Sequence, residues 1–305
     1  MSPPLATDER PAWRGRRPRV VLLGPYKPLA DAGELATIDK VVRDHTDIVL
    51  ADTSFHTDLS GLAFDFVVVL GGDGSVLRAA RRMGQAQRPV VGVNLGRLGF
   101  LASLPRTAFP QRFTEIAVGD CRVVHHLMFD CTVYRNEEIV ARRLGLNETA
   151  ILGGPPYSML DIDLYVDEEH ATTYSCDGLI VATPVGSTAH SLSAGGPILR
   201  KTIAAFVISP ISPHTLTVRP VVDEADRRYE MVVPEPHETT AVVVDGQVVC
   251  SLEPGDRVRV ERGPATFQLI EVAGQSDYRT LRDKLGWHGS LPGRNPEPRQ
   301  PRQPR

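Results

Sequence analysis

The sequence predicts an α/β first half carrying a parallel sheet and a second half built mainly from antiparallel strands. Three observations lead there. From Arg19 to about Val118, short apolar runs alternate with helix-periodic segments, the rhythm of βαβ units. Beyond Cys121, strand-like runs follow one another with few helices between them. Phe64 to Leu70 (FDFVVVL) is the most apolar short run of all, as expected of a strand covered on both faces. A chain of 305 residues has room for two cores at ~150 residues each.

Taken in order, VVLL near residue 20 and DIVL near 48 read as strands, with a helix from Asp31 to Asp44 between them. FDFVVVL then runs into Gly71-Gly72-Asp73-Gly74-Ser75, after which Val76, Ala80 and Met83 recur at helical spacing. Strand, glycine loop and helix are thus in sequence. VVGVN near 92 and PRTAFPQRFTEIAV complete a first domain, residues 19–120. The second domain, 121–275, holds VVHHLMFDCTVYR, ARRLGLNETAIL, MLDIDLYVD, TYSCDGLIVATP, AFVISPI, RYEMVVPE, TTAVVVDGQVVCSL, RVRVERG and ATFQLIEV. Asp245-Gly246, between two apolar runs, has the composition of a type I′ hairpin. Tyr278 to Trp287 reads as a helix, in a segment (276–289) expected to return and pack on the first domain. Residues 1–18 and 290–305 are rich in Pro and Arg and poor in apolar residues, a composition expected to stay disordered.

Charge narrows the function. Residues 1–19 hold five arginines against two acids and residues 289–305 four against one, so each tail is +3 and the remainder of this −3 chain is −9. An acidic body argues against a large nucleic-acid surface, which needs clustered Lys and Arg. No apolar stretch approaches the ~20 residues of a membrane span, and no apolar segment follows the N-terminal arginines as in a secretory signal. A cytoplasmic location is the expectation. Four cysteines without CxxC spacing suggest neither a disulfide framework nor a zinc site.

The glycine loop is the main chemical signal. Glycines let backbone approach a pyrophosphate, and the helix start offers unpaired N–H groups to an anion. Asp73 does not suit a purely anionic role, so it points to proton transfer or a metal at the loop, with helix capping as the alternative. No GxxxxGK[ST] is present, and Gly92, Gly96 and Gly99 miss the GxGxxG spacing, so the usual P-loop and Rossmann fingerprints are absent. The second signal is Asp177 to Leu199, where an apolar strand enters a Gly-, Ser- and Thr-rich run. It suits close approach to a planar or phosphorylated ligand, or a plain domain connection.

Together GGDGS (71–75), NLGRLGFL (94–101), NETAI (147–151) and DGLIVATPVGSTAHSLSAGGPIL (177–199) resemble the NAD kinases, with weaker echoes in ISPHTLTVRPVV (211–222) and KLGWHG (284–289). GGDGS alone is similar to phosphofructokinases and to diacylglycerol and sphingosine kinases, whose α/β domain the resemblance implies for the first half. It further implies transfer of a phosphoryl group to the adenosine ribose 2′-hydroxyl of NAD, the alternatives being a noncatalytic NAD(P)-binding sensor or a related GGDG-type lipid or sugar kinase. Asp73 would be the base, Gly74 would lie against the dinucleotide, and Arg78 would face phosphates. Asn147 and Glu148 would bind nucleoside hydroxyls, and Asp177 the nicotinamide carboxamide. Thr188, Ala189, His190, Ser191, Leu192 and Ser193 would enclose adenine and reach phosphate, with Gln247 a contact in the second domain. The implied partners are NAD and ATP or polyphosphate, with Mg²⁺ or another divalent cation accompanying the donor and no metal site of protein ligands alone. A homo-oligomer, dimer or tetramer, is implied too. His190 stands where tyrosine is common in the family and Val185 where a hydroxyl residue is. Arg81 and Arg82 share a helix face with Arg78, and for them a solvated stripe is equally expected.

Overall fold

A computed structural model of the chain describes residues 9–24, 34–96, 98–155, 159–215, 217–274 and 277–286. The first half runs β1 (Arg19–Leu23), α1 (Glu34–His45), β2 (Asp47–Asp52), β3 (Phe66–Gly71), α2 (Asp73–Met83), β4 (Val90–Asn94), β5 (Leu104–Pro105) and α3 (Phe109–Ala117). The second runs β6 (Arg122–Arg135), β7 (Glu138–Gly145), β8 (Glu148–Leu152), β9 (Leu160–Val166), β10 (Glu169–Cys176) and β11 (Gly178–Ala182). A 3₁₀ turn (Gly186–Thr188) and α4 (His190–Ser193) follow, then β12 (Ala205–Ile211), β13 (Val221–Glu224), β14 (Tyr229–Val232), β15 (Ala241–Val244), β16 (Gln247–Ser251), β17 (Arg257–Glu271) and α5 (Asp277–Leu285). The start of the helix expected from Asp31, Trp287 and the segment 290–305 lie outside the described residues, as do residues 1–8.

In the first half β2-β1-β3-β4 pair in parallel, as the βαβ rhythm predicts. Alternate residues of these strands feed two cores. Val20, Leu22, Phe66, Val68 and Leu70 pack on one face under α1 and α3. Val21, Leu23, Val67 and Val69 pack on the other under α2, whose Val76, Ala79, Ala80 and Met83 are buried. This second core also takes in Met128, Leu146, Val185, Phe267 and Leu269, so later parts of the chain complete the face on which the glycine loop sits.

The second half is antiparallel, as predicted, but it does not form a separate body. β17 pairs with β6 and β14 along its length and reaches β4 through Leu269 and Val90. One sheet of 11 strands therefore spans both halves, and a six-stranded sheet in the order β13-β12-β11-β8-β15-β16 packs on its antiparallel part. RVRVERG and ATFQLIEV, two runs in the sequence, are thus one strand, with its register shifting between Arg262 and Thr266. Conversely, ARRLGLNETAIL and TYSCDGLIVATP each divide into two strands lying in different sheets, β7 from β8 and β10 from β11. No glycine- or proline-rich loop separates the strands at either change of sheet, since single residues or pairs at 146–147 and 177 make the switch, so each stretch reads as one strand.

The N-terminal tail is also shorter than its composition suggests. Trp13 is fully buried, stacks obliquely on Phe66 and donates its indole N–H to the carbonyl of Ile116 at 2.7 Å. Trp13 fills a site beneath α3, while Arg16 pairs with Asp65 and Arg17 with Asp47 and the carbonyls of Arg43, Asp44 and Thr46, so several side chains together order residues 9–18.

Candidate active site

β3 delivers the glycine loop to the start of α2. Gly72 is the N-cap and Asp73 the first helical residue, with no side-chain capping bond. A Cβ at Gly71 would collide with Ser75, whereas Gly72 and Gly74 face open space. The carboxylate of Asp73 turns away from its own helix. Its Oδ2 accepts the N–H of Phe100 at 2.8 Å, and Oδ1 accepts those of Leu101 and Ala102, both at 2.9 Å. Gly99 makes this possible, since a Cβ there would overlap Oδ1. The capping alternative thus gives way to a carboxylate gripped by the 99–102 loop. Phe100 is held in turn: the Nζ of Lys201 donates to its carbonyl at 3.0 Å, and the Nζ of Lys284 lies 4.1 Å from its ring centroid and 3.7 Å from Asp73 Oδ2.

The Asn147-Glu148 pair arises at the change of sheet between β7 and β8. Leu146 and Val185 pack into the core beneath α2, which draws the pair and the 183–190 segment toward that helix. Backbone bonds lock the two segments together: Thr183 donates its N–H to the carbonyl of Asn147 at 2.8 Å and its hydroxyl to that of Leu146 at 2.6 Å. Gly186 is needed at this contact, because a Cβ would overlap the Asn147 carbonyl. From the other side, the carboxylate of Asp245 accepts the N–H groups of Leu146, Asn147 and Glu148 at 2.9, 2.7 and 3.2 Å. With the backbone so tied, Asn147 Oδ1 and Glu148 Oε2 remain buried without a hydrogen-bond partner among the described residues. Buried polar atoms are rarely left so unless a ligand or water completes them. Burial, then the nearby Asp245 charge, pushes the Glu148 carboxyl up to about 8, so near neutral pH it carries a proton and can donate as well as accept.

The remaining predicted residues are distributed unevenly. Asp177 sits at the change of sheet between β10 and β11, exposed, with its carboxylate 3.9 Å from His214. Thr188 lines a small pocket of about 130 Å³ with Phe100, Lys201, Tyr278 and Leu281, so it lies beside the loop that holds Asp73. Ala189, His190 and Leu192 are half-buried and Ser193 exposed. Ser191 departs from expectation: it is fully buried, and its hydroxyl bonds that of Ser209 at 2.9 Å, so it supports α4 from inside instead of facing a ligand. Gln247 is exposed on β16, two residues beyond Asp245. Arg78 is exposed, its guanidinium 4.5 Å over the Phe55 ring and donating to the Ser54 carbonyl. Arg82 is no solvated stripe residue; it pairs with the buried Asp52 at 2.9 Å. Sequence reasoning missed the second use of Asp245, seen only as a turn residue, and the roles of Phe100, Lys201 and Lys284. NLGRLGFL marked the first of these three loci and KLGWHG begins at the third, but nothing in NLGRLGFL announces that its N–H groups matter, and nothing in KLGWHG that its lysine approaches Asp73.

Among the described residues no three His, Cys, Asp or Glu side chains are grouped to hold a metal ion. Mg²⁺ held largely by donor phosphates and water needs few protein ligands, so it would come with the donor to the open glycine loop. A phosphate-type loop at a helix start, a carboxylate fixed beside it and a buried amide–carboxyl pair define a nucleotide-dependent phosphotransferase. Residues 34–121 match the model of the ATP-NAD kinase N-terminal domain and residues 146–272 that of the ATP-NAD kinase C-terminal domain. The chain is 53% identical over 277 residues to an NAD kinase of Rhodopirellula baltica, covering 91% of this chain and 89% of that one. It is 40% identical to an NAD kinase of Marinobacter nauticus over 76% and 80% of the two chains. Among solved structures, an Archaeoglobus fulgidus NAD kinase in complex with ATP aligns with a TM-score of 0.71 at 27% identity, over 88% of this chain and 98% of that one. Yeast NADH kinase complexed with NADH shares the fold, with a TM-score of 0.78 at 22% identity over 97% and 95%. The chain belongs to the NAD kinase family, as the four sequence motifs indicated.

Proposed function

We propose that this protein transfers a phosphoryl group to the adenosine ribose 2′-hydroxyl of NAD, giving NADP. The observation that carries this reading is the placement, around α2, of a fixed carboxylate at the glycine loop and two buried polar atoms without partners. Asn147 and Glu148 suit vicinal hydroxyls, which supply donors and acceptors together. Asp73 acts as the base. Its Oδ1 already accepts two N–H groups, so the proton goes to Oδ2, which accepts one. Three backbone bonds fix the direction of that lone pair, and such preorganisation costs nothing at the moment of reaction. Mg²⁺, when bound with the donor, neutralises phosphate charge.

ATP is the proposed donor, supported by the ATP complex of the archaeal relative, with inorganic polyphosphate an alternative substrate. We further propose a homo-oligomer in the cytoplasm. Valines at both edges of the six-stranded sheet, Val248 on β16 and Val221 and Val222 on β13, are well exposed, which suits burial against another copy. Among the described residues no helix is long and apolar enough to cross a membrane.

The experiment is formation of NADP from NAD by purified protein with Mg²⁺ and either ATP or polyphosphate. Asp73→Asn should lower turnover by ~10²-fold or more while NAD still binds. Near-normal turnover would refute the base. Sedimentation of wild type and Val248→Asp tests the oligomer; a wild-type monomer at working concentration overturns it.

A further inference from the structure

We propose that Lys284 is a further catalytic residue, its ammonium contacting the phosphoryl group as that group passes to the acceptor hydroxyl; this rests on the NAD kinase reading above. Lys284 lies in the last turn of α5, far in sequence from the glycine loop, yet its Nζ is 3.7 Å from Asp73 Oδ2. That separation exceeds a hydrogen bond, so none of the three N–H donors is spent on the carboxylate. The ring of Phe100 lies 4.1 Å from the same Nζ, while the N–H of Phe100 holds Oδ2 at 2.8 Å. One residue therefore locates both the base and the cation.

Both side chains are open enough to receive a ligand, Lys284 at 28% and Asp73 at 29% exposure. A surface ion pair of this kind adds little to stability, so holding α5 is a weak reason for a lysine here. The chemistry supplies a stronger one. The 2′-oxygen forms its bond to phosphorus as its proton moves to Asp73 Oδ2, and the bond to the donor's bridging oxygen breaks with its electron pair leaving on the donor. Negative charge spreads over the three equatorial oxygens in flight. An attacking hydroxyl bonded to Oδ2 places those oxygens within a few ångströms of Nζ, where the ammonium stabilises them through N–H donors not committed to Asp73.

The test uses the full chain with NAD, Mg²⁺ and ATP. Lys284→Met keeps the aliphatic stem on Phe100; its kcat should fall about 10- to 100-fold, with NAD affinity by calorimetry within about twofold of wild type and Tm unchanged. Lys284→Arg, which restores the charge, should recover most of the loss. The proposal is overturned if Lys284→Met keeps its kcat within about threefold, if its loss tracks a loss of NAD affinity or Tm, or if Lys284→Arg is as poor as Lys284→Met. Failure of the wild type to make any NADP would instead remove the NAD kinase reading itself.

Discussion

Asp245 is a turn residue whose carboxylate is spent on another strand. Its φ of +46° and that of Gly246, +74°, make the type I′ turn expected from sequence. Its side chain then collects the three N–H groups of residues 146–148. Burial raises its carboxyl above the ordinary value, while those N–H groups and Arg81 pull the other way. Asp245→Gly keeps the backbone conformation and deletes the carboxylate, so it isolates this second use. It should destabilise the protein by about 2 kcal/mol, the scale of buried donors left unpaired, and weaken NAD binding more than turnover; denaturant titration and calorimetry check both. Glu148 makes a pH prediction. Its carboxyl is raised from 4.5 to about 8, so between those values the folded state holds a proton that the unfolded chain has lost. Its contribution is complete below about pH 4.5 and fades as pH rises toward 8, at up to ~1.4 kcal/mol per pH unit. Glu148→Gln should flatten that part of a stability-versus-pH curve; an unchanged slope would show that Glu148 is ionised.

At the scale of elements, the changes of sheet carry the site. Asn147 stands where the chain leaves the large sheet for the small one, and Asp177 where it does so again. Residues at such junctions have backbone outside the ladders and side chains near the seam, which suits binding. They were legible as motifs but not as junctions, since only one or two residues separate the strands on either side. Turns were legible only where glycine advertised them. Asp245-Gly246 was read, whereas Asn136-Glu137 and Asp167-Glu168, also paired residues at positive φ, carry no such mark. The segment 9–18 is tied to the fold by the buried Trp13 and by the ion pairs of Arg16 and Arg17. Trp13→Ala should cost ~3–5 kcal/mol, as for other large aromatics lost from a core; a loss below 1 kcal/mol in urea would show that Trp13 does not anchor the segment.

For the whole molecule, β17 ties the two halves together across the change of pattern near residue 120. Its C-terminal end reaches β4 and its remainder pairs with β6 and β14, while the core under α2 mixes residues from both halves. Two halves sharing a strand and a core should unfold together. A single calorimetric transition, coincident with the loss of fluorescence from Trp13, is therefore expected; two resolved transitions would overturn the shared core. The same continuity explains how α5, after the last strand, returns beside Asp73. β17 delivers the chain to the first half, and Leu281 of α5 is buried, lining one pocket with Phe100.

From the residues alone came the alternation of strands and helices, the antiparallel second half, the glycine loop with its acid and the family. All of these are written in local period, turn chemistry or contiguous motifs. The partners of those residues were decided elsewhere: which N–H groups hold Asp73, why Asn147 and Glu148 keep unpartnered atoms, where Ser191 turns and what Lys284 approaches. Each depends on backbone groups or side chains distant in the chain, and a backbone N–H looks the same in every sequence. Only packing, which sets direction and solvent exposure together, could choose among them.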